Sequence, residues 1–163
     1  MPVSVPPVAT TYGVLCQVLT DLCLSNMAVK TVRIGPLSSV EMPYADDAVT
    51  QNSYKYPAIH FVPMIADMNG RSTVFEFSMI VMDLAKDNLG LDNTVHSETL
   101  EITRDILSKF TLTDWEQFRY NAKLPATATP FIENFQNSVA GWTTRLQVEA
   151  ITPLNLCDAP FRP

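Results

Sequence analysis

The sequence predicts an α+β domain, with an antiparallel or mixed β-sheet packed on one face by two helices and with extended N- and C-terminal arms. Two stretches show the 3.6-residue apolar period of an amphipathic helix. Two pairs of strand-like stretches are each joined by turn residues, which is typical of hairpins. Prolines concentrate near both chain ends. Hairpins and helices in this order favour helices gathered on one face of a sheet.

The length fits one domain with a sizeable core, because the chain has 163 residues and is 47% hydrophobic. We expect an N-terminal arm at residues 1–9, a single domain at 10–152 and a C-terminal arm at 153–163. The first of these segments is rich in proline and valine, which predicts an extended conformation.

The first helix is expected to begin at a cap formed by Thr10 or Thr11 and to end near Asn26. Its buried stripe follows the helical period at Leu15, Val18, Leu19 and Leu22. A short strand, Thr31–Gly35, follows.

A long loop is predicted over residues 36–57, which are rich in Pro, Ser, Asp and Asn. The next stretches, Ala58–Asp67 and Thr73–Leu84, are strand-like and are joined by Asn69-Gly70, a strong hairpin-turn signal. Both faces of the second strand are largely apolar, so we expect it to be central in the sheet.

The second helix is predicted to begin at a cap formed by Asn93 or Thr94 and to end near Phe110. One more helical turn is expected over Thr113–Tyr120, followed by a loop over residues 121–128.

A second hairpin is predicted from Phe131–Asn137, a turn at Ser138–Gly141 and a strand at Trp142–Thr152. The last strand alternates in period two, with one face made of Trp142, Thr144, Leu146, Val148 and Ala150. We expect Trp142 to anchor this strand in the core.

Charge and motifs argue against several classes of function. The net charge is -6, and the 11 basic residues are scattered singly, so tight nucleic-acid binding is not expected. The N-terminus lacks the pattern of a signal peptide, and no apolar run reaches the roughly 20 residues of a membrane helix. No nucleotide, metalloprotease or hydrolase motif occurs, so we predict no cofactor, no metal and no enzyme activity.

Cysteine and histidine usage predicts structural roles. Three cysteines without a CxxC spacing indicate a reducing compartment. His60 is expected to be a hydrogen-bonded structural imidazole rather than a general base, because no nucleophile is identifiable as its partner. His96, near the start of the second helix, is expected to be a solvated surface residue.

The order and spacing of several segments resemble the tail terminator (tail completion) proteins of tailed bacteriophages. These segments are Tyr56–Pro63, Phe77–Leu84, Ser97–Ile102, Asp105–Leu107 and Ala126–Pro160. The last of them contains the elements Pro-Phe, Val-Ala-Gly-Trp and Pro-Leu-Asn.

The resemblance implies a virion protein, assembled in the bacterial cytoplasm, whose subunits form a ring, commonly a hexamer, at the head-proximal end of the tail. Its partners would be the tail-tube protein and a neck or head-completion protein, and the ring would end tube polymerisation. DNA would pass through the lumen without specific binding, and the net charge predicts that this lumen is acidic.

The expected functional residues are interface residues in the two arms, in the long loop and after the second strand of the first hairpin. They are Val3, Val5, Val8, Tyr44, Asp46, Asp47, Tyr54, Asp83, Asp87, Asp92, Leu154, Leu156 and Phe161. Apolar residues in the arms favour contact with a partner, because they gain nothing from exposure on a free tail.

Two other functions stay open. A neck adaptor, a head-completion protein or a tail-tube subunit of the same particle would share this architecture. A small cytosolic enzyme or ligand-binding module would instead need a concave pocket with converging polar groups.

Overall fold

The architecture is an α+β fold of two helices and a six-stranded mixed sheet, in a computed structural model that describes residues 12–36, 55–85, 93–112, 120–134 and 138–151. The elements in chain order are α1 (Tyr12–Leu24), β1 (Thr31–Ile34), β2 (Ala58–Met68), β3 (Thr73–Leu84), α2 (Asn93–Leu112), β4 (Tyr120–Lys123), β5 (Ala128–Asn134) and β6 (Ser138–Ala150).

The strand order is β1-β2-β3-β6-β4, with β5 also pairing β6. The β1–β2 pair is parallel and all the others are antiparallel. The far edge of β6 is shared, because β5 pairs with its first half and β4 with its last four residues. The predicted central position of β3 is confirmed, since β3 lies between β2 and β6.

Both helices pack on one face of the sheet, as the sequence predicts. The shared core combines residues from both helices with one alternating set from the strands. Its fully buried members include Leu15, Leu19, Phe61, Phe77 and Ile106. The Phe61 and Phe77 rings meet edge to face, with their centroids 6.1 Å apart.

The opposite face of the sheet, which we call the open face, carries a smaller apolar cluster and a polar network. The cluster contains the buried residues Ala58, Met82 and Val139 together with the partly buried Tyr56 and Phe131. It lies at the end of the sheet where β2 begins, so β3 is apolar on both faces there, as expected for a central strand.

The turn between β2 and β3 confirms the predicted hairpin. Gly70 has a φ of 85°, a conformation that an L side chain rarely adopts. The Asn69 amide donates to the Ser72 carbonyl at 3.1 Å, and the Asn69 side-chain Oδ1 accepts from the Ser72 amide at 2.9 Å. The side chain of Asn69 therefore closes the turn.

Two predictions for the C-terminal half are wrong. Residues 121–123, expected in a loop, belong to β4, because they pair with the end of β6. Ser138–Gly141, expected to form a turn, are the first residues of β6, and Ser138 already pairs with Asn134 of β5. The alternation of the last strand is confirmed, because Leu146, Val148 and the other residues of their face are largely buried.

The first strand of the second hairpin, β5, begins at Ala128, three residues before the predicted Phe131. Other boundaries differ by one or two residues: α1 ends at Leu24 and α2 extends to Leu112. The expected caps at Thr10 and Thr11, most of the long loop, residues 113–119 of the expected helical turn and both arms lie outside the described residues. The last residue of that expected turn, Tyr120, belongs to β4, so the prediction is wrong there.

The position of Gly141 is dictated by close backbone approach. A Cβ atom there would overlap the Val81 carbonyl oxygen and lie 2.9 Å from Met82 Cα. At Gly70, by contrast, an added Cβ meets nothing within 4 Å. Asparagine also tolerates the positive φ of that position.

The same substitution should therefore have opposite outcomes at these two glycines. We expect Gly141→Asn to lower the free energy of unfolding by about 3 kcal/mol, because overpacking and a buried amide both destabilise. Gly70→Asn should change it by about 0.5 kcal/mol or less. Urea unfolding followed by circular dichroism measures both, and equal midpoints for the two variants would contradict the packing described.

Candidate assembly surface

The most exposed apolar part of the sheet is the end of the first hairpin, residues 63–71, which we call the hairpin edge. Every residue of this segment is exposed. Met64, Ile65 and Met68 are 56%, 57% and 63% exposed. Large apolar side chains that gather on one edge are typical of an interaction surface.

This exposure follows from the unequal lengths of the strands. β1 pairs only with residues 58–61 of β2, so no described strand pairs with the outer side of the remainder. The register shifts between Pro63 and Ile65, where β2 bulges. Pro63 cannot donate a backbone hydrogen bond, and a bulge interrupts the ladder. Both features oppose the addition of another strand, although the side chains remain available for contact.

A groove lies at the opposite end of β2. It has a volume of about 390 Å3 and lies between the connection that follows α1 and the first half of α2. Its apolar lining comes from Ala28, Pro57 and Ile102, and its acidic lining comes from Glu98, Glu101 and Asp105.

The neighbourhood of this groove adds an apolar side chain and cations of α2, among them Lys109, which lines an adjoining pocket with Asp105. Met27 lies in the sequence between the lining residues Asn26 and Ala28, and it is 93% exposed. Arg104 Nη1 lies 2.9 Å from Glu101 Oε1, so one of the three carboxylates is partly neutralised. The groove therefore combines an apolar lining with an excess of negative charge.

The open face carries a polar network centred on a buried carboxylate. Glu76 is only 6% exposed, and its Oε2 accepts from Arg145 Nη2 at 2.6 Å and from Gln147 Nε2 at 3.0 Å. These hydrogen bonds, chiefly that from Arg145, hold the pKa of Glu76 below its ordinary value. Ionised Glu76 thus fixes two side chains of β6 on the open face.

A second carboxylate continues the network toward β4. Glu149 Oε1 accepts from the Ser72 hydroxyl at 2.7 Å, and Glu149 Oε2 lies 3.7 Å from Lys123 Nζ. A shallow pocket of about 380 Å3 opens beside it, lined in part by Lys123 and Arg145. Both cations have carboxylate partners, so the network mainly ties β3, β4 and β6 together.

The two histidines have structural contacts. His60 is fully buried, and its Nε2 lies 3.1 Å from the Gly35 carbonyl oxygen, which is the structural role that the sequence predicts. Burial lowers the pKa of His60. The expectation of a solvated His96 is wrong, because its ring is half-buried and meets the Trp142 ring edge to face at 6.0 Å.

Trp142 links β6 to α2. Its Nε1 donates to the His96 carbonyl oxygen at 2.8 Å, so the indole is held by the helix backbone. This agrees with the predicted anchoring role, although the side chain is only partly buried.

Of the predicted interface residues, only Asp83 lies within the described part of the chain. Asp83 is half-buried near the end of β3, and its Oδ1 accepts from the Leu84 amide at 2.7 Å. The others lie outside the described residues: Val3, Val5, Val8, Tyr44, Asp46, Asp47, Tyr54, Asp87, Asp92, Leu154, Leu156 and Phe161.

Sequence reasoning missed the hairpin edge. The signal is present, because Met64 and Ile65 are adjacent apolar residues, and adjacent residues of a strand point to opposite faces. The sequence does not show how far β1 extends along β2, so it does not show that these residues are exposed. The helical spacing of Glu98, Glu101 and Asp105 places them on one flank of the second helix, but the sequence does not reveal the apolar groove beside them.

The described residues contain neither a metal-binding cluster nor a membrane-spanning helix. Among the described residues, no group of three or more His, Cys, Asp or Glu side chains could hold a metal ion. Neither described helix is long and apolar enough to cross a membrane.

Comparisons with known proteins identify no family. No protein-family model matches this sequence, and no curated protein matches it. Among solved structures, the chain shows a weak likeness to the histidine kinase domain from Erythrobacter litoralis EL346 blue-light activated histidine kinase. The identity is 10% and the TM-score is 0.21, over 85% of this chain and 58% of that chain. At this TM-score the likeness carries no argument about fold or function.

The pKa of Glu76 predicts how the network contributes to stability. A carboxylate whose pKa is lowered by folding adds stability above its unfolded pKa, near 4.5, and loses it as the pH falls through the folded value. We expect Glu76→Gln to lower the urea midpoint at pH 7 and to approach the wild type as the pH falls from 4.5 through the lowered pKa of Glu76. Glu133→Gln, at an exposed position of β5, is the matched control and should have little effect at pH 7. Equal midpoints for both variants at pH 7 would contradict this role for Glu76.

The buried His60 predicts a second loss of stability as the pH falls. Here the cause is the burial of a basic group, whereas for Glu76 it is the hydrogen bonding of an acidic group. Because its pKa is lowered by folding, the unfolded chain binds more protons than the folded chain between the folded pKa and 6.5. The free energy of unfolding should therefore fall as the pH decreases through this window. In His60→Gln, which keeps a donor for Gly35, this part of the slope should disappear. Urea unfolding between pH 8 and pH 5 tests it, and parallel slopes for the two proteins would refute the assignment.

Proposed function

We propose that this chain is a tail terminator of a tailed bacteriophage, a virion protein that forms a homo-oligomeric ring at the head-proximal end of the tail. The observation that carries the proposal is the hairpin edge, an exposed apolar strand segment on a small α+β domain. The order and spacing of the segments between Tyr56 and Pro160 support the same assignment, because they resemble that family.

In this role the chain acts through its surfaces. A ring subunit needs two different contact surfaces for its neighbours and one more for the end of the tube. The hairpin edge and the acidic groove lie at opposite ends of β2, which suits contacts with two neighbours. The net charge of -6 suits a lumen through which DNA passes without binding. The partners would be the tail-tube protein and a neck or head-completion protein.

The proposal predicts that the chain stops tube growth. Tail-tube protein of the same phage should be polymerised with and without the purified chain, and tube lengths should be measured by negative-stain electron microscopy. With the chain present, tubes should be shorter and should carry a ring at one end only.

Other outcomes would identify the competing functions. Tubes made by the chain itself would indicate a tail-tube subunit. Unchanged tube lengths, with rings that bind the head vertex instead, would indicate a neck adaptor. Unchanged lengths with no binding to either partner would overturn the virion assignment.

A further inference from the structure

We infer that the hairpin edge of one copy docks into the acidic groove of a second copy, so that subunits associate head to tail. This contact deepens the proposed function, because it names the surfaces that would join neighbours in the ring.

The two surfaces lie at opposite ends of one strand. The groove includes Pro57, which immediately precedes β2, whereas the hairpin edge begins at Pro63 and ends beyond the last residue of β2. A strand rises by about 3.3 Å per residue, so the ends of this 11-residue strand are about 35 Å apart. One copy therefore cannot fill its own groove with its own hairpin edge, but a second copy can.

The apolar parts of the two surfaces match. Met64 and Met68 are exposed on the hairpin edge, and Met27 is exposed beside the groove. The groove itself offers Ala28 and Ile102 as apolar lining. Methionine is flexible and polarisable, so it adapts well to a shallow apolar surface. Docking would remove these side chains from water, which is the main gain expected for such a contact.

The charged parts also match. Arg71 is exposed at the turn of the hairpin edge, and the groove is lined by Glu98, Glu101 and Asp105. The hairpin edge also contains the acidic Asp67, but the register places Asp67 on the face of β2 opposite to Met68. A docked Met68 therefore need not bring Asp67 against the carboxylates. Complementary charge of this kind sets orientation and partner choice.

Such a contact is heterologous, since each copy uses a different surface toward each neighbour. A heterologous contact forms a ring when the rotation between copies closes, and an open filament when it does not. Because Pro63 and the bulge oppose strand addition, the contact would use side chains rather than a continuous sheet.

Two variants that each disable one surface test this contact. The hairpin variant is Met68→Gln with Arg71→Gln, and the groove variant is Glu98→Lys with Asp105→Lys. Met68 and Arg71 are exposed in the hairpin edge, and Glu98 and Asp105 are exposed on α2, so folding should be kept in both variants. Equal thermal unfolding temperatures for the variants and the wild type would verify this. Leu124→Gln, at an apolar residue that is 54% exposed and belongs to neither surface, is the matched control.

The expected result is specific to a head-to-tail contact. In sedimentation velocity, wild type and Leu124→Gln should self-associate, whereas each variant alone should do so at least about tenfold more weakly. A one-to-one mixture of the variants should form dimers and nothing larger, because each pair retains one intact hairpin edge and one intact groove.

Several results would overturn the contact: variants that assemble like the wild type, a mixture that stays as monomeric as its components, or a wild-type chain that never self-associates. If wild-type rings form and both variants still form them, the contact is wrong but the proposed function stands. If the variants behave as expected but wild-type rings do not stop tube growth, the contact stands and the proposed function fails.

Discussion

The antiparallel pairing of β3 with β6 is the constraint on which the rest of the structure depends. The two strands pair along the whole 12-residue length of β3, from Thr73 opposite Ala150 to Leu84 opposite Val139. This pairing places Leu146 and Val148 beside Phe77 and Phe75, and both helices pack on that surface. It also brings Arg145 and Gln147 onto Glu76 on the open face. The core face and the open face of the sheet therefore both depend on the same β3–β6 register. That register brings the Gly141 backbone against the Val81 carbonyl oxygen, where there is no room for a side chain.

The surfaces available for assembly arise because β2 extends beyond β1, the shorter strand beside it. β1 has four residues and β2 has eleven, so β1 covers only the start of β2. The covered end has buried residues on both faces and adjoins the groove, whereas the uncovered end is the hairpin edge. Short strands beside long ones thus give the domain two chemically different ends. An exposed edge is an aggregation hazard, and Pro63 with its bulge limits that hazard without removing the apolar side chains.

Local signals predicted most of the fold, and contacts distant in sequence account for the errors. The alternation of the last strand and the Asn69-Gly70 turn are properties of neighbouring residues, and both predictions are confirmed. β4 was missed because four residues, Tyr120–Lys123, show no reliable period, and their strand conformation depends on pairing with the end of β6. The ring of His96 is shielded by Trp142, which lies 46 residues away along the chain. Residues near His96 in the sequence do not indicate this contact, so a solvated His96 was predicted. The hairpin edge was missed for the same reason, since its exposure depends on the length of β1.

The difference between the two ends of the domain bears on how an assembly of this chain could stop growing. A contact that uses the same surface on both copies satisfies itself in a dimer, whereas a contact between unlike ends leaves one free end of each kind at every stage. Growth then ends only when the last free hairpin edge meets the first free groove, and ring size depends on the angle between neighbours. A polar network that fixes β3, β4 and β6 to one another, through Glu76 and Glu149, would hold that angle constant from copy to copy. The rigidity of the open face and the exposure of the hairpin edge would then serve the same outcome, a closed ring of defined size.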